Sequence, residues 1–332
     1  SLMFVKNNQF FNYSYYGVRM SYQDGCQVSD NFFSADSSAI NYSYDVDLYN
    51  LKGKVLVNDN KIIKKNKYGT AIDISGYNYV IDTCKVYNNF ISIEDTIHNY
   101  QSRGFYLINN DNLYLANNTV NILSNYYNST GVYSSSNDDL YFYNNNISNF
   151  GLGYCFYFGS GSSDESDFNN YYVPNGSALY ANSTNYDLST WQNLTGFDLN
   201  SFETNSLFAS HDDYHTCNDT LDMVGTPLHF ITHDLDGDLR SSTPDIGADE
   251  FFGMAKFSLG DDVTICSSDS LNIGPASDLV SYDWSNGAVT STINIPAGTY
   301  SVVVNGACGT AADTMVIDNF PSAVADFSTT PS

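Results

Sequence analysis

Three stretches decide how this chain folds: Val57-Asn58-Asp59-Asn60-Lys61-Ile62, Val86-Tyr87-Asn88-Asn89-Phe90-Ile91 and Leu115-Ala116-Asn117-Asn118-Thr119-Val120. Each sets a pair of amides or an Asp-Asn pair between apolar residues. The pattern also occurs upstream, as Val5-Lys6-Asn7-Asn8-Gln9-Phe10 and Val28-Ser29-Asp30-Asn31-Phe32-Phe33, and downstream, as Phe142-Tyr143-Asn144-Asn145-Asn146-Ile147. A seventh copy, Asp167-Phe168-Asn169-Asn170-Tyr171-Tyr172, keeps the pair and loses its leading apolar residue. With the second amide of each copy at 8, 31, 60, 89, 118, 145 and 170, the spacings are 23, 29, 29, 29, 27 and 25 residues. A period of this size marks one supersecondary unit repeated, with length variation absorbed in loops.

A second signal keeps the same phase. Gly17-Val18-Arg19-Met20, Ala39-Ile40-Asn41-Tyr42, Ala71-Ile72-Asp73-Ile74, Gly104-Phe105-Tyr106-Leu107, Gly131-Val132-Tyr133-Ser134, Gly153-Tyr154-Cys155-Phe156 and Ala178-Leu179-Tyr180-Ala181 each alternate as a short strand. A further apolar strand leads into each Asn pair, as in Leu113-Tyr114-Leu115. Three short strands per coil predict an all-β chain built on a right-handed parallel β-helix. Stacked at the strand spacing of about 4.8 Å, each Asn amide can donate to the next while holding backbone groups at a corner. This column is expected to be structural. Cys26 and Cys84 each stand two residues before the leading valine, Val28 and Val86, which predicts one inward column with Val55, Leu113 and Leu140. Two coils apart, they are beyond disulfide reach and are expected to pack as small hydrophobes.

The charge balance removes several partners. Lys and Arg total 12 against 37 Asp and Glu, for a net charge of −25. A chain so poor in cations does not neutralise a phosphate backbone, so nucleic acid is not a partner. An anionic membrane surface is equally disfavoured, and no apolar run is long enough to span a bilayer. Polarity comes instead from amides and from hydroxyls, including those of 28 Tyr.

From Tyr186 to Glu250 the repeat gives way to a dense tail that includes Asp234-Leu235-Asp236-Gly237-Asp238-Leu239-Arg240 and Pro244-Asp245-Ile246-Gly247-Ala248-Asp249-Glu250. This tail resembles the end of the bacterial choice-of-anchor Q domain proteins, parallel β-helices that finish through a D-x-D/G-x-x-R stretch into D-x-G-A-x-E. The resemblance implies a secreted β-helix placed before an anchoring or sorting region, and implies no particular reaction. Asp234, Asp236, Asp238 and Asp245 supply hard oxygen ligands at spacings that suit Ca²⁺. The alternative is a cap in which Arg240 neutralises neighbouring carboxylates while the segment covers the last open coil.

Past Phe257 the composition changes to short alternating strands, among them Tyr282-Asp283-Trp284-Ser285-Asn286-Gly287 and Gly298-Thr299-Tyr300-Ser301-Val302-Val303-Val304. They predict a small antiparallel sandwich with Trp284 in its core. The segment resembles the Ig-like or PKD-like modules of Bacteroidota surface proteins and gliding adhesins, a resemblance that implies a Cys266–Cys308 disulfide and an extracellular setting. The expected domains are a β-helix over 1–253, with its closing segment at 186–253, an Ig-like module over 254–319, and a linker into a further module over 320–332. The whole is expected to be part of a longer multidomain surface protein.

Outward positions of the second strand predict a ladder of Arg19, Asn41, Asp73, Tyr106, Tyr133, Cys155 and Tyr180. Tyrosines one coil apart could take sugar rings while their hydroxyls hydrogen-bond, which makes Arg19, Asp73, Tyr106, Tyr133 and Tyr180 candidate glycan-binding residues. The alternative is that they cover a sheet of high β-propensity. An adhesin-like or structural role is expected, with a pectate-lyase-like lyase or a glycoside hydrolase on the same face as the competing reading. A lyase needs a cationic clamp, and the run Lys61, Lys64, Lys65 and Lys67 is expected in a loop away from the ladder. His211 and His215 share a loop with Asp212 and Asp213, a weak metal signal.

Overall fold

The computed structural model describes residues 2–36, 42–76, 81–174, 176–210, 212–251, 253, 257–266, 269–274, 281–306 and 309–320. They fall into two units, Ser1–Phe251 and Phe252–Ser332. The first is the expected parallel β-helix. Its strands form two seven-stranded sheets and one eight-stranded sheet, and each sheet takes every third strand of the coil. The first sheet runs from Met3–Lys6 to Gly161–Asp167, the second from Gln9–Phe11 to Asn170–Tyr172, and the third from Tyr16–Ser21 to Leu179–Ala181. All pairings between coils are parallel; the antiparallel strand Thr184–Tyr186 then closes the third sheet.

The corner between the first two sheets explains the Asn pairs. The leading position of each pair, Asn7, Asp30, Asp59, Asn88, Asn117, Asn144 and Phe168, has φ between 49° and 57°. Asn and Asp tolerate this left-handed conformation better than other side chains, so they recur there. The second position forms the expected ladder. Side-chain amides donate from Asn8 to Asn31, Asn31 to Asn60, Asn60 to Asn89, Asn89 to Asn118 and Asn118 to Asn145, at 2.9–3.1 Å. In the last coil the acceptor is Asn169, at 3.0 Å, and not Asn170. Phe168 has taken the left-handed position there, which shifts the pair by one residue.

Interior columns follow the predicted register. Cys26, Val55, Cys84, Leu113 and Leu140 are aligned strand to strand and are 0–2% exposed. The lysine run departs from expectation. Lys61–Lys65 is a strand of the second sheet, and Lys64 points into the helix, where it meets Asp45 at 2.9 Å with both side chains fully buried. Lys64 also donates to the carbonyls of Ser43 and Thr70. Burial pushes the Asp45 carboxyl up and the Lys64 ammonium down.

The tail does more than cover the last coil. Helix α1, Leu188–Thr195, is capped by Asp187 and ended by Gly196 in the left-handed region, and it places Leu188 and Trp191 against the core. Asp198 ends the Asn ladder: its carboxylate accepts from Asn169 (3.1 Å), Trp191 Nε1 (3.0 Å), Ser166, Tyr171 and Ser201. The chain then turns back along the corner as a strap. The leading amides hold it, Asn144 by donating to the Thr226 carbonyl and Asn88 by donating to the His233 carbonyl, both at 2.7 Å.

In the second unit, a four-stranded sheet and a two-stranded sheet enclose Trp284, Val302, Val304 and Ile317. Trp284 is 2% exposed, as a core residue should be, and its indole donates to the Thr290 carbonyl. The pairing is antiparallel except where Val263–Ile265 joins Gly309–Asn319 in parallel. The disulfide implied for Cys266 and Cys308 involves a residue outside the described ones. Cys266 is exposed with a free thiol, and Cys308 lies outside the described residues. The 320–332 linker lies outside them too, apart from Phe320.

Candidate functional site

The outer face of the third sheet carries one column drawn from seven coils. Its register is Arg19, Asp47, Asp73, Tyr106, Tyr133, Tyr157 and Tyr180. All five residues proposed from sequence are in it, and two neighbours differ. Asp47 stands where Asn41 was expected, because the strand of that coil is Ser43–Tyr49; Asn41 lies outside the described residues. Tyr157 replaces Cys155, which is buried, its Sγ donating to the carbonyls of Ile147 and Tyr172. The sequence held the signal for Tyr157. Its coil is 24 residues long from Asn145 to Asn169, and Tyr157 lies that far beyond Tyr133.

The tyrosines stack on one another. Ring centroids are 5.0 Å apart for Tyr106 and Tyr133, 4.7 Å for Tyr133 and Tyr157, and 4.5 Å for Tyr157 and Tyr180. Strand spacing imposes these separations, and its consequence is that ring faces are used inside the ladder. Ring edges, and not faces, are therefore what the ladder turns outward. The Arg103 guanidinium lies beside the first two rings, 4.6 Å from that of Tyr106 and 5.5 Å from that of Tyr133, and donates to the Tyr42 hydroxyl at 3.0 Å.

Below the tyrosines the column is ionic. Arg19 meets Asp47 at 3.1 Å and lies 4.5 Å over the Tyr16 ring. Asp73 accepts the Ser75 hydroxyl. Burial, and then the Asp47 charge, raise the Asp73 carboxyl from 3.8 to about 7, against the pull of Ser75, Arg103 and Arg19. Near neutral pH this face therefore offers a carboxyl that holds or gives up a proton, two guanidinium groups and a row of hydroxyls.

The four aspartates proposed for Ca²⁺ do not converge. Asp234 Oδ1 accepts the backbone N–H groups of Asp236, Gly237 and Asp238 at 2.8–3.0 Å, and its Oδ2 accepts that of Glu250. Asp245 accepts from Met223 and Phe251, one oxygen each, at 2.6 Å. Asp234 thus caps a local turn, and both aspartates tie separate stretches of the strap together, closer to the alternative reading of the motif than to a cation loop. Arg240 completes them by pairing with Glu250 at 3.2 Å and donating to Asn88 Oδ1 at 3.0 Å. Asp238 is exposed, and Asp236 faces elsewhere, toward His215 and Asp249. That trio was not foreseen as a unit, since its members are separated by 21 and 13 residues and meet only through the folded strap.

Compared with protein-family models, with curated proteins and with solved structures, the chain matches none of them. No described helix is long and apolar enough to cross a membrane.

Proposed function

We propose that this chain is a rigid, surface-displayed β-helix segment of a larger secreted bacterial protein, and that it binds extracellular glycan along the outer face of its third sheet. The observation that carries the reading is the register of Arg19, Asp47, Asp73, Tyr106, Tyr133, Tyr157 and Tyr180 in one column. A stack of rigid tyrosines with hydroxyls at a strand-spacing repeat suits a linear polymer of hydroxyl groups, and little side-chain entropy is lost on binding. The aspartates and the net charge of −25 favour a neutral sugar over a polyuronate. An extracellular setting agrees with the tail's resemblance to the choice-of-anchor Q proteins. Further modules of the same chain would supply anchoring, as in Bacteroidota surface proteins.

A glycan array followed by titration tests this. Binding of at least one neutral glycan should weaken tenfold or more in Tyr133→Ala and in Tyr157→Ala, while Tyr127→Ala, off the ladder, binds as the parent does. Equal binding by all three variants would sink the reading.

Asp73 favours a second reading, glycoside hydrolysis on the same face. A carboxyl raised to about 7 beside a second carboxyl group, Asp47, has the composition of a glycosidase acid and its partner. Release of reducing sugar from a polysaccharide panel, lost in Asp73→Asn, would establish it. No release by the parent protein leaves the binding role alone.

A further inference from the structure

The strap brings together a group of side chains that the binding face does not use. We propose that His215, Asp236 and Asp249 form a site for a divalent transition-metal ion of the Zn²⁺ type, with Asp213 orienting the imidazole. This inference is independent of the glycan reading. One ring nitrogen of His215 and one carboxylate oxygen from each aspartate lie within 4.8 Å of one another. His215 Nε2 stands 3.3 Å from Asp236 Oδ2. Its Nδ1 meets the Asp213 carboxylate, which leaves Nε2 as the ligand atom. A carboxylate on the far nitrogen of a metal-bound histidine fixes the tautomer and raises ligand basicity.

Asp249 supplies the independent observation. It is 5% exposed, and its Oδ2 is buried with no hydrogen-bond partner. A buried carboxylate oxygen without a donor is costly, and a cation at the trio would satisfy it. The cationic side chains near Asp249 are His215, within the trio, and Arg240, which is engaged with Glu250, the Gly247 carbonyl and Asn88.

Donor type selects the metal. Ca²⁺ and Mg²⁺ take oxygen ligands, whereas an imidazole with two carboxylates suits Zn²⁺ and its first-row neighbours. Three protein ligands leave a position open. The His215 and Asp236 side chains are 42% and 45% exposed, so that position faces solvent. Asp236 also lines a cleft of about 450 Å³ with Asn8, Asp30, Asn31 and Asp59, which places an exchangeable ligand on the ion beside that cleft.

The test is calorimetric titration of the full chain with ZnCl₂, CaCl₂ and MgCl₂ in a Cys266→Ser background, which removes the exposed thiol. One saturable Zn²⁺ per chain is expected, with no comparable Ca²⁺ or Mg²⁺ binding. Affinity should fall at least tenfold in His215→Gln and Asp249→Asn, roughly 10–100-fold in Asp213→Asn, and stay unchanged in Asp238→Asn. Circular dichroism checks folding. Should Asp249→Asn unfold, the exposed Asp236→Asn decides by the same tenfold criterion. Undiminished Zn²⁺ binding in His215→Gln and Asp236→Asn, a preference for Ca²⁺, or no saturable binding by the parent would each overturn the proposal.

Discussion

The side-chain amide of Asn60 donates to Oδ1 of Asn89 at 2.9 Å, and the same oxygen accepts the backbone N–H of Asn60 at 3.2 Å. The Asn89 amide in turn donates to the carbonyls of Val57 and Tyr87 and to Asn118. Removing this rung strands donors and acceptors at a fully buried corner. Asn89→Ala should therefore destabilise the β-helix by about 2–4 kcal/mol, given a cost of ~1–3 kcal/mol per buried polar group left unpaired. Urea unfolding measures it, and a loss under ~0.5 kcal/mol would mean that the ladder is incidental.

The buried pair of Lys64 and Asp45 makes a two-part prediction. Lys64→Met alone leaves an uncompensated charge and should cost about 3–5 kcal/mol, whereas joining it to Asp45→Ala should restore most of the loss. A double-mutant cycle by thermal or urea unfolding reads the coupling. Additive losses would contradict a pair held by mutual neutralisation.

Asp73 predicts a pH dependence. Its folded value of about 7 exceeds the ordinary 3.8, so the folded protein holds this proton more tightly than the unfolded chain does. The favourable contribution is complete below 3.8, declines at up to about 1.4 kcal/mol per pH unit through that window, and is gone above about pH 7. Asp73→Asn should match the parent near pH 4 and be more stable at pH 8. Parallel stability curves across pH 4–8 would count against a raised Asp73.

The strap hangs on the leading amides of the corner. Asn144 Nδ2 donates to Thr226 O at 2.7 Å, and its Oδ1 accepts from Thr226 N at 2.9 Å. Its left-handed φ of 54° also favours Asn. Asn144→Ala should cost about 2 kcal/mol and release the strap first, seen as faster amide exchange over 220–250 than in the coils. Uniform exchange across both would show that strap and coils open as one.

The repeat was legible because a solenoid writes its geometry into the sequence once per coil. Left-handed corners select Asn or Asp, stacked amides select Asn, and alternation marks the inward columns. Misalignments arose where a coil changes length. Phe168 moves the last Asn pair by one residue, and the strand at Ser43–Tyr49 begins later than its Ala39-Ile40 signal suggests. The lysine run misled for another reason: a charged residue in a strand pattern signals solvent unless its partner is known, and the partner of Lys64 is Asp45, on another strand.

By itself, then, the sequence determined the coil, its corners, the core columns and most of the tyrosine face, since each depends on spacing within a period and on local backbone preference. Only the tertiary structure decided that the tyrosine rings spend their faces on each other, because that follows from the strand spacing that stacks one coil on the next. It alone decided that Asp234 and Asp245 accept backbone N–H groups within the strap while His215, Asp236 and Asp249 meet. Those contacts depend on a strap folding back over the coils, and no periodicity encodes where an irregular segment comes to rest.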